Sequence, residues 1–130
     1  MGYTGAMKQA AQQGPSLAES GLRSFEVIAE RWRLSPRERE RVLGLPRSTY
    51  ARLRAKPERA QLDRNALERL SHVLGIYKAL HVLFSDDERA DTWIDRPSVD
   101  FGGRPARERL TSGLVADLAY LRHYLDVARG

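Results

Sequence analysis

The 130-residue chain is 42% hydrophobic and 30% charged, and it contains no cysteine. Its length suits one domain, or two small helical subdomains that share a core, and its composition is that of an ordinary soluble globular protein. The absence of cysteine excludes disulfides, thiolate metal sites and a cysteine nucleophile. The sequence has neither a transmembrane run nor the apolar segment of a signal peptide, so we predict a cytoplasmic protein that does not bind membranes.

The net charge of +5 is concentrated in the N-terminal part of the chain. Residues 1–70 contain fourteen Lys and Arg against eight Asp and Glu, whereas residues 71–130 contain eight against nine. This asymmetry is typical of a protein with a nucleic-acid-binding face on one half. A solvated, arginine-rich surface is the alternative interpretation.

The first predicted helix begins at Leu22. Residues 1–20 are rich in Gly and Gln and have no apolar period, so we predict a flexible arm there. From Leu22, apolar residues recur at steps of three and four, which predicts a core helix that ends near Leu34. Its predicted buried residues are Leu22, Phe25, Ile28, Ala29 and Trp32.

A helix-turn-helix pattern follows within residues 21–60. Ser35-Pro36-Arg37-Glu38 is a capping box with proline at the first helical position, and the helix that it begins ends near Leu43, before Gly44. After this turn, Pro46 begins a third helix over residues 47–54. Arginine can reach guanine edges and phosphates, and Ser and Thr can donate to phosphate oxygens. The predicted DNA-contacting residues are Arg47, Ser48, Thr49, Arg52 and Arg54.

Two positions depart from a typical helix-turn-helix. Arg39 and Glu40 stand where small or apolar residues usually let the two helices approach each other. Either the helices are shifted in register, or the motif keeps its fold without reading DNA. Operator binding and a purely structural helical pair therefore remain alternatives.

The longest predicted helix starts at Asp63, which caps it, and continues to Phe84. We predict that this linking helix, over residues 61–84, joins the basic half of the chain to the C-terminal half. We also predict that it offers a face for dimer formation. Its histidines, His72 and His81, are nine residues apart and have no carboxylate at ligand spacing, so we predict no metal site. The predicted apolar face comprises Leu67, Leu70, Val73, Leu74, Tyr77, Leu80, Leu83 and Phe84.

The C-terminal region, residues 85–130, begins with a second predicted capping box, Ser85-Asp86-Asp87-Glu88. A short helix then ends around Trp93, and a loop over residues 95–104 leads to a helix that opens at Pro105. The Gly102-Gly103 pair lacks the glycine spacing and the preceding strand of a nucleotide-binding loop. We instead predict a tight loop that is anchored by the burial of Trp93 and Phe101.

The final helix carries a regular apolar stripe at alternating steps of four and three. Tyr120 and Tyr124 flank this stripe, beside charged residues, as is common in protein interfaces. The stripe can pack on the chain's own core or bind a partner, and both interpretations remain open. Its members are Leu114, Leu118, Leu121, Leu125 and Ala128.

This order of elements resembles the Xre/MbcA/ParS antitoxins, which are the partners of RES-domain toxins. The resemblance extends over residues 22–130 and is most specific between Trp93 and Leu125. It implies an all-α fold in which a helix-turn-helix-like region is joined by a long helix to a helical toxin-binding region. It also implies a homodimer and operon autoregulation through operator DNA.

The resemblance further implies a partner toxin that degrades NAD or uses it for ADP-ribosyl transfer, and whose active site the antitoxin occludes. The motif carries the toxin-binding role to Phe101, Gly102, Gly103, Arg104 and the terminal helix. Because an NAD pocket attracts phosphates, we expect Asp117, Asp126 or the terminal carboxylate of Gly130 to enter it. The other predicted contacts of this helix are Tyr120 and Tyr124.

The residue types argue against an enzyme, because no nucleophile, base and acidic partner occur at a recognisable spacing. The sequence therefore predicts no catalytic residue and no cofactor. The serious alternative to an antitoxin is a stand-alone helix-turn-helix regulator, in which the C-terminal half serves as a dimer or effector region.

Overall fold

A computed structural model describes residues 14–130 and confirms the all-α fold. The described residues form seven α-helices and a single two-stranded sheet. The helices are α1 Leu17–Arg31, α2 Pro36–Leu43, α3 Arg47–Ala55, α4 Arg64–Leu83, α5 Asp87–Thr92, α6 Arg107–Leu110 and α7 Val115–Arg129. Short 3-10 turns occupy Pro57–Arg59, Trp93–Asp95 and Val99–Phe101.

The first helix begins earlier than the sequence predicts. Ser16 caps α1, because its Oγ accepts a hydrogen bond from the Glu19 amide at 3.1 Å. Residues 17–20 therefore belong to α1 and not to the predicted flexible arm. The apolar period begins only at Leu22, but the serine cap starts the helix one turn earlier. Residues 1–13 of that arm lie outside the described residues.

Both ends of the first helix of the helix-turn-helix, α2, are capped as predicted. The Glu38 amide donates to Ser35 Oγ at 3.1 Å, and the Ser35 amide donates to Glu38 Oε1 at 2.8 Å, which completes the capping box of α2. Gly44 ends this helix in the left-handed region at φ 65°, where a side chain is disfavoured. The short turn then leads directly into α3.

Helix α4 lies at the centre of the molecule, between α1 and α7. Asp63 caps it, as predicted, by accepting from the Ala66 amide at 2.8 Å. Leu67 was predicted to be buried but is 37% exposed, whereas Ile76, which the prediction omitted, is buried. A single core combines residues of both halves of the chain, so the long helix supports both regions.

The C-terminal half differs from the prediction at two helix starts. Asp86 and not Ser85 caps α5, since Asp86 Oδ1 accepts from the Glu88 amide at 3.1 Å. Pro105 does not open a helix, because it lies in strand β2 (Arg104–Pro105), which pairs antiparallel with β1 (Pro97–Ser98). This pairing closes the loop between the two strands.

The predicted terminal helix is divided into α6 and α7. Thr111 Oγ1 donates to the Arg107 carbonyl at 2.8 Å, and Ser112 Oγ accepts from the Leu114 amide at 3.1 Å, so side chains satisfy groups that a continuous helix would use. Gly113, at φ 89°, completes the break. Two members of the predicted stripe are not buried, because Leu114 is 62% exposed and Ala128 is also exposed. Its buried members are Leu118, Leu121 and Leu125.

Candidate functional site

Helix α3 presents part of the predicted DNA-contacting set to solvent. Arg47, Ser48 and Arg52 are exposed, and Thr49 is partly buried. Arg54 has a different environment, because its Nε lies 3.3 Å from Glu26 Oε2 on α1. Its charge is therefore partly neutralised within the molecule.

The unusual Arg39 of the helix-turn-helix is buried in a polar network. Its guanidinium donates to the Leu34 carbonyl at 3.0 Å and to Glu26 Oε2 and Glu30 Oε2 at 3.1 Å each. Tyr50 of α3 donates its hydroxyl to the same Glu26. Burial and the Glu26 carboxylate raise the pKa of Tyr50. An arginine that is paired with acids of α1 thus fills the space where small residues are usual.

Two arginines connect the helix-turn-helix to the C-terminal region. Arg69 of α4 donates to the Arg41 carbonyl at 3.3 Å and to the Gly113 carbonyl at 2.9 Å. Arg107 of α6 donates to both oxygens of Glu38 at 3.0 Å and lies 2.6 Å from Asp95. These contacts hold the loop before α7 and the start of α2 in fixed positions relative to each other.

An aromatic cluster forms the centre of the C-terminal surface. The ring centroid of Phe101 lies 5.0 Å from that of Tyr124, 6.1 Å from that of Trp93 and 6.3 Å from that of Tyr120. Phe101 is only 6% exposed, so it supports this surface from beneath. The predicted loop anchor of Trp93 and Phe101 is therefore confirmed, with Trp93 only partly buried.

Arg109 joins the aromatic cluster to a carboxylate. Its guanidinium carbon lies 4.4 Å from the Tyr120 centroid and 5.5 Å from that of Phe101, within cation–π range. Its Nη1 is 3.9 Å from Asp117 Oδ1. Beside these groups is a surface pocket of about 260 Å³, lined by Phe101, Arg104, Pro105, Glu108, Arg109 and Asp117.

The turn between β1 and β2 is tightly held and carries an exposed apolar side chain. The Gly103 amide donates to the Ser98 carbonyl at 2.8 Å, and Tyr124 donates its hydroxyl to Asp100 at 2.6 Å. This hydrogen bond to Asp100, followed by burial, raises the pKa of Tyr124. Val99 stands in the turn and is 93% exposed.

The predicted toxin-binding residues do not all lie together. Phe101, Arg104 and Asp117 line one pocket, and Tyr120 and Tyr124 adjoin it through the aromatic cluster. Gly102 and Gly103 are exposed in the adjoining turn.

Two of the predicted residues lie elsewhere. Asp126, six positions after Tyr120, is about 240° further around α7, and its Oδ2 is 3.8 Å from Arg122 Nε on that side. Gly130 is exposed at the chain end.

The prediction omitted two residues of this surface. Val99 could have been identified from the sequence, because an apolar residue between Ser98 and Asp100 in a predicted loop is a candidate for an exposed contact. Arg109 has no local signal, because its position depends on the fold that brings α6 against Tyr120.

Neither histidine of α4 belongs to a metal cluster. The prediction that neither histidine has a nearby carboxylate is wrong, because His72 lies 3.8 Å from Glu68, one turn earlier on α4, and His81 lies 3.3 Å from Asp87 and 3.0 Å from Asp91. Burial together with nearby Arg122 lowers the pKa of His72. Across residues 14–130, no three His, Asp or Glu side chains are grouped so that they could hold a metal ion. None of the helices in that range has the length and apolar character required to span a membrane.

Comparison with known proteins matches the two halves of the chain separately. Residues 13–75 match the antitoxin Xre-like helix-turn-helix domain, and residues 79–130 match the antitoxin Xre/MbcA/ParS C-terminal toxin-binding domain. An uncharacterized protein of Sinorhizobium fredii (strain NBRC 101917 / NGR234), y4oB, is 44% identical over 110 residues, which is 84% of each chain. The toxin-binding match overturns the alternative of a stand-alone regulator, and the partner of the C-terminal half is a toxin. The expected resemblance is thus confirmed, and the chain belongs to the Xre/MbcA/ParS family of antitoxins.

Proposed function

We propose that this antitoxin, itself without enzymatic activity, neutralises a RES-domain toxin that degrades NAD or transfers ADP-ribose from it. The observation that carries the proposal is the exposed aromatic and cationic surface within residues 79–130, the part of the chain that matches the toxin-binding domain. Tyr120 is 44% exposed there, with Arg109 held against its ring. Tyrosine and arginine, with tryptophan, are enriched among the residues that dominate binding at protein interfaces.

This surface is ready to bind without rearrangement. Tyr124 is fixed by its hydrogen bond to Asp100, and the Val99 turn is closed by β1 and β2. Because this surface is already ordered, the antitoxin loses little conformational entropy when it binds, which favours a tight complex. A tight complex is what the neutralisation of an enzyme by its antitoxin requires.

The proposed mechanism is occlusion of the toxin's NAD pocket. Of the three carboxylates that we expected to enter it, Asp117 faces Arg109 and Asp126 faces Arg122. The terminal carboxylate of Gly130 belongs to an exposed residue at the end of α7. We therefore assign the binding energy to the aromatic surface, and the blocking of the pocket to the bulk of the antitoxin bound over it.

Co-expression with a RES-domain toxin, sought first among the genes adjacent to that of this chain, tests the proposal. We expect the two proteins to co-purify and the loss of NAD and of growth to stop. Tyr120→Asp should abolish both effects, whereas Val27→Asp, an equally drastic change at an exposed valine of α1, should leave them intact. Deletion of residues 114–130 is a poorer test, because it removes three core leucines. If the wild-type chain fails to bind or to protect, the proposal is wrong.

We also propose that the antitoxin binds operator DNA and regulates its own operon. Exposed Arg47, Ser48 and Arg52 of α3 support this role, since they offer a cationic and hydrogen-bonding face at the start of the second helix of the motif. Gel-shift titration with the duplex upstream of its gene tests this role. Arg47→Ala should relax or abolish the preference for that duplex over a scrambled one. The role is refuted if the upstream duplex is never preferred.

A homodimer that forms through the helical N-terminal region is the third part of the proposal. Leu17, 84% exposed, and Leu67 line an apolar pocket of about 450 Å³ between α1, α4 and α7. Exposed leucines around such a pocket favour burial against another protein surface. Analytical ultracentrifugation should show a dimer that Leu67→Asp converts to a monomer. A monomeric wild-type chain would contradict this part.

A further inference from the structure

A cleft at the far end of α3 is lined by cations that the predicted DNA-contacting set does not include. The cleft has a volume of about 330 Å³ and is lined by Arg52, Leu53, Ala55, Lys56 and Arg59. Arg52 is the only predicted DNA contact among them. Lys56 and Arg59 follow α3, at its C-cap and in the 3-10 turn Pro57–Arg59.

Among the described residues, the three cations of this cleft have no acidic partner. Over residues 14–130, no carboxylate oxygen lies within 4.0 Å of the charged groups of Arg52, Lys56 or Arg59. Arg54, by contrast, is paired with Glu26. Glu58 is exposed in the same turn but does not line the cleft. Residues 47–59 thus carry five Lys and Arg against one Glu, and three of the five cations converge here.

The backbone that carries these cations is fixed. The Lys56 amide donates to the Arg52 carbonyl at 3.2 Å, and the Arg59 amide donates to the Lys56 carbonyl at 3.0 Å. Leu53 and Ala60, which flank the turn, are buried. Only the side chains of the cations need to be ordered when an anion binds, so the entropic cost is limited to rotamers.

The cleft continues the face of α3 that carries the predicted DNA contacts. Ser48, Arg52 and Lys56 follow one another at steps of four, which places them along one side of the helix. In a helix-turn-helix, residues at the start of the second helix contact base edges in the major groove. The opposite end of that helix then lies towards the groove edge, where the phosphates are.

From this arrangement we infer that Arg52, Lys56 and Arg59 bind the phosphodiester backbone of duplex DNA. The inference rests on the proposed DNA binding and adds a sequence-independent part to it. Arg47 and Ser48 select the sequence, and the cleft supplies affinity by displacing counterions from phosphates. Arg54, which the sequence places in the DNA-contacting set, contributes instead to the ion pairs between α1 and α3.

Fluorescence anisotropy with the full chain tests the inference, with the upstream duplex and a scrambled duplex of equal length at several salt concentrations. The Lys56→Gln/Arg59→Gln variant should bind both duplexes more weakly by the same factor. Its slope of log affinity against log salt should be smaller in magnitude by about two, one for each cation removed. The charge-preserving Lys56→Arg/Arg59→Lys variant should keep the wild-type slope.

A matched control removes two exposed charges elsewhere. Arg89→Gln/Arg129→Gln changes the net charge by the same amount on α5 and α7, and it should keep the wild-type slope. If the cleft variant and this control behave alike, the cleft inference is wrong while the proposed DNA binding stands. If the wild-type chain binds neither duplex, both are wrong. Circular dichroism establishes that each variant remains folded.

Discussion

Arg107 donates through one Nη1 to both carboxylate oxygens of Glu38, 3.0 Å from each, although the two residues are 69 positions apart. Glu38 is also the third residue of α2, where it completes the capping box with Ser35. The same carboxylate therefore stabilises the start of the helix-turn-helix and fixes it to α6 of the toxin-binding region. The two halves of the antitoxin share one core and this ion pair.

The Arg107 contact is expected to stabilise the whole chain. Arg107→Ala removes charged hydrogen bonds to Glu38 and Asp95, which should lower the free energy of unfolding by about 2 kcal/mol. Arg104→Ala is the control, because its ion pair with Glu108 is exposed at 3.3 Å and should contribute at most about 0.5 kcal/mol. Urea denaturation followed by circular dichroism measures both. Equal losses in the two variants would contradict the assignment.

Glu38 should also make the stability depend on pH. Burial raises its pKa, but the Ser35 amide and Arg107 outweigh this effect, so the pKa in the folded chain is below the usual value. Such a carboxyl stabilises the fold above its unfolded pKa of about 4.3, and this stabilisation is lost as the pH falls through the folded pKa.

We therefore expect Glu38→Gln to flatten the decline in stability below about pH 4.3. Glu58→Gln, at an exposed carboxylate, serves as the control. Urea denaturation at a series of pH values measures the effect. A decline that is as steep in Glu38→Gln as in the wild type would show that Glu38 is not its source.

Arg39 is expected to stabilise the helix-turn-helix although it departs from the usual pattern. Arg39→Ala leaves Glu26 and Glu30 without their partner, and Glu26 is partly buried. The loss should be about 2 kcal/mol, less than for a fully buried pair because Glu30 is exposed. Arg37→Ala, at an exposed residue of the same helix, should have almost no effect. Thermal unfolding of the two variants decides whether the network is stabilising.

Gly44 and Gly102 allow two effects of an added side chain to be separated. Both have a left-handed φ, at 65° and 68°, but a Cβ at Gly44 would lie 2.8 Å from Arg69 Nε, whereas a Cβ at Gly102 would meet no atom within 4 Å. Gly102→Ala should lower the free energy of unfolding by about 1 kcal/mol from the backbone conformation alone. Gly44→Ala should lower it further, because Arg69 must move from its bonds to Arg41 and Gly113. Chemical denaturation measures both losses. A smaller loss of unfolding free energy in Gly44→Ala than in Gly102→Ala would contradict this explanation.

Features that depend on neighbouring residues could be predicted from the sequence. The Ser35 capping box, the left-handed Gly44 and the Asp63 cap each need only a few consecutive residues. The helical periods also predicted the all-α class, since burial on one face repeats every turn.

Features that depend on distant residues could not be predicted in this way. The partner Glu26 is thirteen positions from Arg39, and Asp100 is twenty-four from Tyr124. Pro105 has the residue type of a helix start, but its pairing with Pro97 across the turn determines its structure. Most residues of the C-terminal surface could therefore be predicted from the sequence. The presence of Arg109 in this surface and the absence of Asp126 from it became evident only from the fold.

The most direct test of the central claim is a titration of the purified partner toxin, which we propose to be a RES-domain protein, with this chain while NAD consumption is recorded. We predict that NAD consumption falls to zero at a fixed molar ratio. We also predict that Tyr120→Asp requires a large excess, whereas Val27→Asp behaves as the wild type. Unchanged NAD consumption at any ratio of the wild-type chain would contradict the account.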